Sequence, residues 1–137
     1  MDAAYADVTL PDEGPDGLTD YCTPSYIGME AATSWSGLGR FDLAVTLYER
    51  SLPGWPDSLR RDQGLCLARL ATAYAGQGDI ERACATGRRA VEVIHTAMSS
   101  RALNELQRVR MRLAPLRRHA EVSDLSDRIR SLLQPAA

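Results

Sequence analysis

Two stretches of the chain repeat each other thirty-nine residues apart: Gly37-Leu38-Gly39-Arg40-Phe41-Asp42-Leu43-Ala44 and Gly76-Gln77-Gly78-Asp79-Ile80-Glu81-Arg82-Ala83. The match extends upstream through Ala31/Leu70, Ala32/Ala71 and Trp35/Tyr74, and downstream through Arg50/Arg89 and Ser51/Ala90. Small, aromatic, glycine, apolar and alanine positions recurring in one order mark a repeated supersecondary unit. A single unit of this size cannot bury its own apolar face, so copies must stack.

Each copy reads as two amphipathic helices joined at glycine. Ile27, Ala31, Ala32 and Trp35 recur at helical spacing, as do Phe41, Ala44, Val45, Tyr48 and Leu52. Gly39 and Gly78 fall just past the first stripe of each copy, where a helix commonly ends in a left-handed residue that glycine adopts without steric cost. Asp79 is placed to cap the following helix. Ala44 and Ala83 predict close helix crossings, where a larger side chain would overpack the contact by roughly 1–3 kcal/mol. A third, degenerate unit follows, with one stripe at Leu103, Leu106, Val109 and Leu113, a break at Pro115, and a second stripe at Val122, Leu125, Ile129 and Leu132. It reads as a terminal capping pair, one face of which meets water.

The 137 residues fit one domain, expected over residues 21–135 after an acidic lead-in at 1–20. The first twenty residues carry Pro11, Gly14, Pro15, Gly17 and six acids, and a short helix at 2–9, the remnant of a preceding repeat, is the alternative reading. Residues 1–39 hold seven acids and no base, so the remainder carries a net charge of +5 against −2 for the whole chain. No apolar run approaches a membrane span and the acidic start is unlike an export signal, so a cytoplasmic protein with no membrane partner is expected. All sixteen basic residues are arginine, and alanine occurs nineteen times, a set whose codons are rich in G and C; a high-GC bacterial source is inferred.

Residues able to carry chemistry are sparse. Cys22, Cys66 and Cys84 are odd in number and widely spaced, which argues for reduced, buried thiols rather than a disulfide framework or a zinc site. His95 and His119 have no nucleophile-and-acid arrangement around them, and each is expected at the surface near a helix end. The two Gly-x-Gly pieces lack a third glycine and a preceding strand, so they are read as helix stops and not as phosphate loops. No catalytic residue, metal ligand or cofactor is therefore assigned, and the chain is not expected to be an enzyme. Arg101, Arg108, Arg110, Arg112, Arg117 and Arg118 are opposed in that stretch only by Glu105. They could meet phosphates, but the solvated face of an amphipathic helix is the simpler account, because no nucleic-acid motif accompanies them.

The repeat resembles the tetratricopeptide family. Copy one carries that family's pattern as Gly28, Ala31, Ala32, Trp35, Gly39, Phe41, Ala44, Tyr48, Ser51 and Pro56, and copy two as Leu67, Leu70, Ala71, Tyr74, Gly78, Ile80, Ala83, Gly87, Ala90 and His95. Gly28, Gly87 and His95 depart from it. The period exceeds the family's thirty-four residues by five, which a longer connector around Pro53-Gly54-Trp55-Pro56-Asp57 or a longer helix must absorb. The resemblance implies an all-α fold of antiparallel helix hairpins stacked as a short right-handed solenoid, two recognisable repeats plus the capping pair. It also implies a partner-binding groove lined by the first helix of each repeat. Carried over position by position, that groove comprises Tyr26, Met29, Glu30 and Thr33, then Leu65, Ala68, Arg69 and Thr72, then Arg101, Asn104, Glu105 and Arg108. Met29 and Thr33 stand where chaperone-tail-binding relatives carry a basic residue and an asparagine, so that specificity is disfavoured.

The runs Tyr26–Ala32, Arg61–Ala71, Ser100–Leu103 and Leu113–Pro115 are similar to the carboxy-terminal regions of streptomycete and related actinobacterial regulators, which pair an amino-terminal helix-turn-helix of the XRE type with tetratricopeptide-like repeats. That resemblance implies the sensor or regulatory part of a transcription regulator, with a protein or peptide ligand and without DNA binding by this chain itself. Self-association, giving a homodimer, and direct nucleic-acid binding through the arginine run are the alternatives.

Overall fold

A computed structural model describes residues 23–134, which form six α-helices, with no strand among them. They are α1 (Pro24–Gly37), α2 (Phe41–Ser51), α3 (Arg60–Gln77), α4 (Ile80–Thr96), α5 (Ser100–Leu113) and α6 (Ala120–Leu133). The expected lead-in at 1–20, its alternative helix at 2–9 and Cys22 lie outside the described residues. No described helix is long and apolar enough to cross a membrane.

Local chemistry sets the boundaries. Thr23 caps α1 by accepting a hydrogen bond from the Tyr26 amide at 3.2 Å, with Pro24 in the first turn, where its missing N–H leaves nothing unpaired. Asp79 caps α4 through the Arg82 amide, and Ser99 caps α5 through the Ala102 amide. Gly39 and Gly78 have φ of 78° and 82°, the left-handed conformation expected of them, and they are the only described residues with positive φ. The amide of Asp79 reaches back to the Tyr74 carbonyl, and that of Arg40 to Trp35, closing the same turn in each copy. Pro115 falls in a single 3₁₀ turn, Ala114–Leu116, that separates α5 from α6.

The extra residues of the thirty-nine-residue period enter the connector between α2 and α3. Two 3₁₀ turns, Leu52–Gly54 and Asp57–Leu59, flank Trp55, which is buried and lies edge-on to Tyr26 at 6.4 Å between ring centroids. The connector is thus anchored in the core by an aromatic pair, a contact usually worth about 0.5–1.5 kcal/mol beyond burial. Asp57 opens a turn, and α3 itself begins at Arg60.

Helices α1 with α2 and α3 with α4 form close consecutive pairs, while α5 packs chiefly on α3 and α6 more on α4 than on α5. Helix α3 is central: it also packs on α2, α5 and α1, while α4 reaches α6. Its buried residues, Gly64, Leu65, Cys66, Leu67, Ala68, Leu70, Ala71, Ala73 and Tyr74, run around most of the helix instead of along one stripe. Small side chains permit this enclosure, since Ala32, Ala44, Ala68, Ala71, Ala83 and Ala90 are all fully buried.

Three glycines within α3 and α4 mark close approaches of helix to helix. A Cβ at Gly64 would stand 2.8 Å from Ile94 Cγ1, one at Gly76 2.7 Å from the Phe41 ring, and one at Gly87 2.8 Å from Leu125 Cδ2. Gly87, a departure from the family pattern, is therefore the point where α6 approaches α4. Gly37, in contrast, faces open space. Ile94 is fully buried and stiff at χ1, so it has no room to yield. Gly64→Ala should lower stability by about 1–3 kcal/mol through overpacking, whereas Gly37→Ala should be neutral or raise it by up to about 1 kcal/mol through helix propensity. Urea unfolding of the two variants checks this, and equal effects would remove the close-approach assignment.

Candidate functional site

Helices α1, α3 and α5 converge on one open cleft of about 530 Å³, closed at one side by Phe41 and Tyr48 from α2. A chain of side-chain contacts crosses its floor. Arg69 of α3 donates to both Glu30 Oε1 and Thr33 Oγ1 of α1, each at 3.2 Å. Thr33 also shares a 2.9 Å hydrogen bond with the Tyr48 hydroxyl. One turn further along α3, Thr72 donates to Glu105 Oε2 of α5 at 2.9 Å, and Arg108 lies 3.8 Å from the same carboxylate.

These contacts answer an energetic demand. The Arg69 side chain is 13% exposed and that of Glu105 11%, so both charges have left most of their water and require partners. Thr33 can bridge because its hydroxyl donates to the Met29 carbonyl one turn back and keeps its lone pairs for Arg69 and Tyr48, whereas the single Thr72 proton is shared between the Ala68 carbonyl at 3.2 Å and the nearer Glu105 carboxylate at 2.9 Å. Tyr48 is almost fully buried with its phenol on Thr33, and burial pushes its pKa up to about 12 against the opposing effects of Thr33 and Arg69. At the far wall Arg112 lies over the Phe41 ring, 5.4 Å from its centroid.

The structure separates the expected groove residues into three groups. Thr33, Arg69, Thr72, Glu105 and Arg108 line the cleft, and Glu30 joins them through Arg69. Met29 and Leu65 do not line it: they are 0% and 3% exposed and belong to the core, as does Ala68. The physical reason is that α1 and α3 have neighbours on more than one side, so their apolar positions next to the inner face are covered. Tyr26 is half-buried beside Trp55 at the connector, away from the cleft lining. Arg101 and Asn104 are exposed in the first turns of α5; Arg101 is close enough to Asp62 to oppose the upward shift that burial imposes on that carboxyl.

Phe41, Tyr48, Met111 and Arg112 also line the cleft and were not assigned to it from sequence. Arg112 was accessible to the helical rule, being one turn beyond Arg108 on the same face. Tyr48 was not, because it comes from the second helix of its pair. Its only signal is that a tyrosine at a buried position needs a partner for its hydroxyl.

Elsewhere charged side chains meet in surface ion pairs between near neighbours in sequence, such as Arg128 with Asp124 at 2.8 Å and Arg130 with Asp127 at 3.1 Å. Burial raises the Cys66 thiol to about 12, against a smaller opposing effect of the Trp55 indole, and burial also raises Cys84, so both are protonated and inert at neutral pH. His95 and His119 are exposed, in the last turn of α4 and at the start of α6. Among the described residues no group of three or more His, Cys, Asp or Glu side chains could hold a metal ion. Comparison with protein-family models, curated proteins and solved structures finds no match to this chain.

The Tyr48 shift predicts an alkaline weakness. Above the ordinary tyrosine pKa of about 10 the unfolded chain loses a proton that the folded chain keeps until about pH 12, so stability is intact below pH 10 and falls between those values. Tyr48→Phe should cost about 1 kcal/mol at pH 8, for the lost hydrogen bond. It should become the more stable chain near pH 11.5, where wild type has given up about 2 kcal/mol. Urea unfolding at both pH values tests this, and a pH-independent difference would contradict it.

Proposed function

We propose that this chain is a non-catalytic, tetratricopeptide-like module that binds a protein or peptide segment in the cleft of α1, α3 and α5, and that it serves as the sensor or regulatory part of a bacterial transcription regulator. The observation that carries the reading is the convergence of the odd-numbered helices on one polar floor through Glu30, Thr33, Arg69, Thr72 and Glu105. The pairing of successive helices, with α3 against α5 and α4 against α6, is compatible with a short solenoid of stacked hairpins. The repeat pattern and the similarity to actinobacterial regulators support the regulatory role.

The cleft's chemistry selects its ligand. Its floor is already satisfied internally, so a ligand gains most at the rim, where the Arg108 side chain is 76% exposed and Met111 67% exposed beside Arg112. An extended or helical peptide with carboxylates flanking an apolar side chain matches that rim. Arg69, held by Glu30 and Thr33, positions the floor.

Self-association is the second reading, and the exposure of Met111 and Leu38, the latter 73%, is what favours it. Titration of acidic, apolar peptides into the chain and its Arg108→Ala and Arg69→Ala variants tests the leading reading. Arg108→Ala should weaken binding about tenfold, the worth of one charge-assisted contact, and Arg69→Ala by a comparable factor through loss of the floor. Unchanged affinity in both variants would rule the cleft out.

A further inference from the structure

A second cleft, between α5 and α6, follows from where α6 is anchored. Leu125 of α6 packs onto α4 at Gly87, where an added Cβ would stand 2.8 Å from its Cδ2, and α6 packs more on α4 than on α5. The 3₁₀ turn Ala114–Leu116 carries the chain across, and the space left between the two helices is a cleft of about 290 Å³. That volume is at the lower end of small-molecule clefts, which run from roughly 300 to 1,000 Å³.

Its walls combine two chemistries. Leu113, Val122 and Leu125 form an apolar floor, each of them core residues with an edge turned to the cleft. Met111, 67% exposed, stands at one side as a flexible thioether that can fold over whatever lies on that floor. Around the floor are Arg110, Arg117 and Arg130, and the lining contains no acid.

The arginines are short of counter-charge. Arg110 is half-buried, and its guanidinium donates to the neutral Gln107 Oε1 at 3.2 Å. Among the described residues no carboxylate pairs with Arg110 or Arg117, and Arg130 pairs with Asp127 at 3.1 Å in an exposed contact. The cleft of α1, α3 and α5 is different, because Arg69 and Arg108 there face Glu30 and Glu105. A partly desolvated guanidinium whose partner is an amide gains a charge-assisted bond when a carboxylate arrives. An exposed pair such as Arg130 with Asp127 gives way at little cost. A bare inorganic anion would use the arginines and leave the apolar floor wet, so the lining as a whole fits an anion that carries an apolar tail.

We infer that the α5–α6 cleft binds a small amphiphilic anion, a medium-chain linear carboxylate, with its carboxylate on Arg110 and Arg117 and its alkyl chain on Leu113, Val122 and Leu125 beneath Met111. Met111 is the one lining residue that this cleft shares with the cleft of α1, α3 and α5. The inference therefore stands apart from the peptide-site reading, and the two can fail separately.

The test titrates hexanoate, octanoate and decanoate, each below its micelle-forming concentration, into the full-length chain and follows backbone amide chemical shifts. Shifts should centre on the α5–α6 cleft, and affinity should rise about two- to fourfold per methylene, fourfold being the ~0.8 kcal/mol of full burial. Arg110→Gln should weaken octanoate binding about tenfold. Arg117→Gln, at an exposed turn position, should weaken it in the same direction and keeps the test open if the first variant unfolds. Octan-1-ol, which has the chain without the charge, should bind about tenfold more weakly than octanoate. Arg108→Ala, outside this cleft, should leave octanoate affinity unchanged, and a loss there would put the anion in the peptide cleft instead. An affinity that is flat across the series reduces the site to unspecific attraction of anions, and equal binding of octanol and octanoate reduces it to an apolar patch. Inorganic phosphate or a single-stranded oligonucleotide binding as tightly as decanoate would assign the arginines to phosphate. Each of these outcomes, like the absence of any shift at the cleft, overturns the inference.

Discussion

Helix α3 is enclosed by α1, α2, α4 and α5, and the small side chains along it let those helices approach closely enough to hold one another in place. Ala68, Ala71 and Ala73 are fully buried, and Gly64 admits Ile94 where even a methyl group would collide. With so much of its circumference covered, α3 can place polar mid-helix side chains in few directions. Arg69 and Thr72 emerge toward the cleft, because burial of either among the alanines would leave a desolvated group without partners. Core and cleft therefore follow from one constraint.

Electrostatics completes the cleft. Arg69 and Glu105 are the two charges most withdrawn from water, and each is held by a threonine hydroxyl and an opposite charge. A network whose members are all satisfied is rigid, whereas loss of one partner would leave the other charge desolvated. The floor is thus better suited to holding shape than to exchanging partners. The outer arginines of α5 remain solvated, and solvated charges can take a new counter-ion at small cost. Recognition by such a surface would be selective for charge and sensitive to ionic strength.

Much of this was legible in the residues, and particular positions show where legibility ended. Gly39 and Gly78 could be read as helix stops because left-handed geometry penalises every other side chain, and Asp79 as a cap because its carboxylate answers an otherwise unpaired amide. The break at Pro115 follows from a missing N–H. Thr33, Arg69, Thr72 and Arg108, which the family resemblance assigns to one inner face, line a common cleft. Met29 and Leu65 share that helical face but are covered, because periodicity reports direction and not how many neighbours a helix has. Gly87 looked like a defect of the repeat; it is a contact with Leu125, twice removed along the chain from any signal the repeat carries.

The sequence by itself determined the helical character of the described residues, the helix stops at Gly39 and Gly78, the cap at Asp79, the break at Pro115 and the order in which apolar faces recur, since these depend on dihedral preferences and capping groups within a few residues. Tertiary structure decided which of those faces meet water and which polar side chains meet each other. Tyr48 joins Thr33 across fifteen residues and Glu105 joins Thr72 across thirty-three. Such pairings arise from desolvation, which acts on whatever the packed helices bring together, and no local rule carries that information.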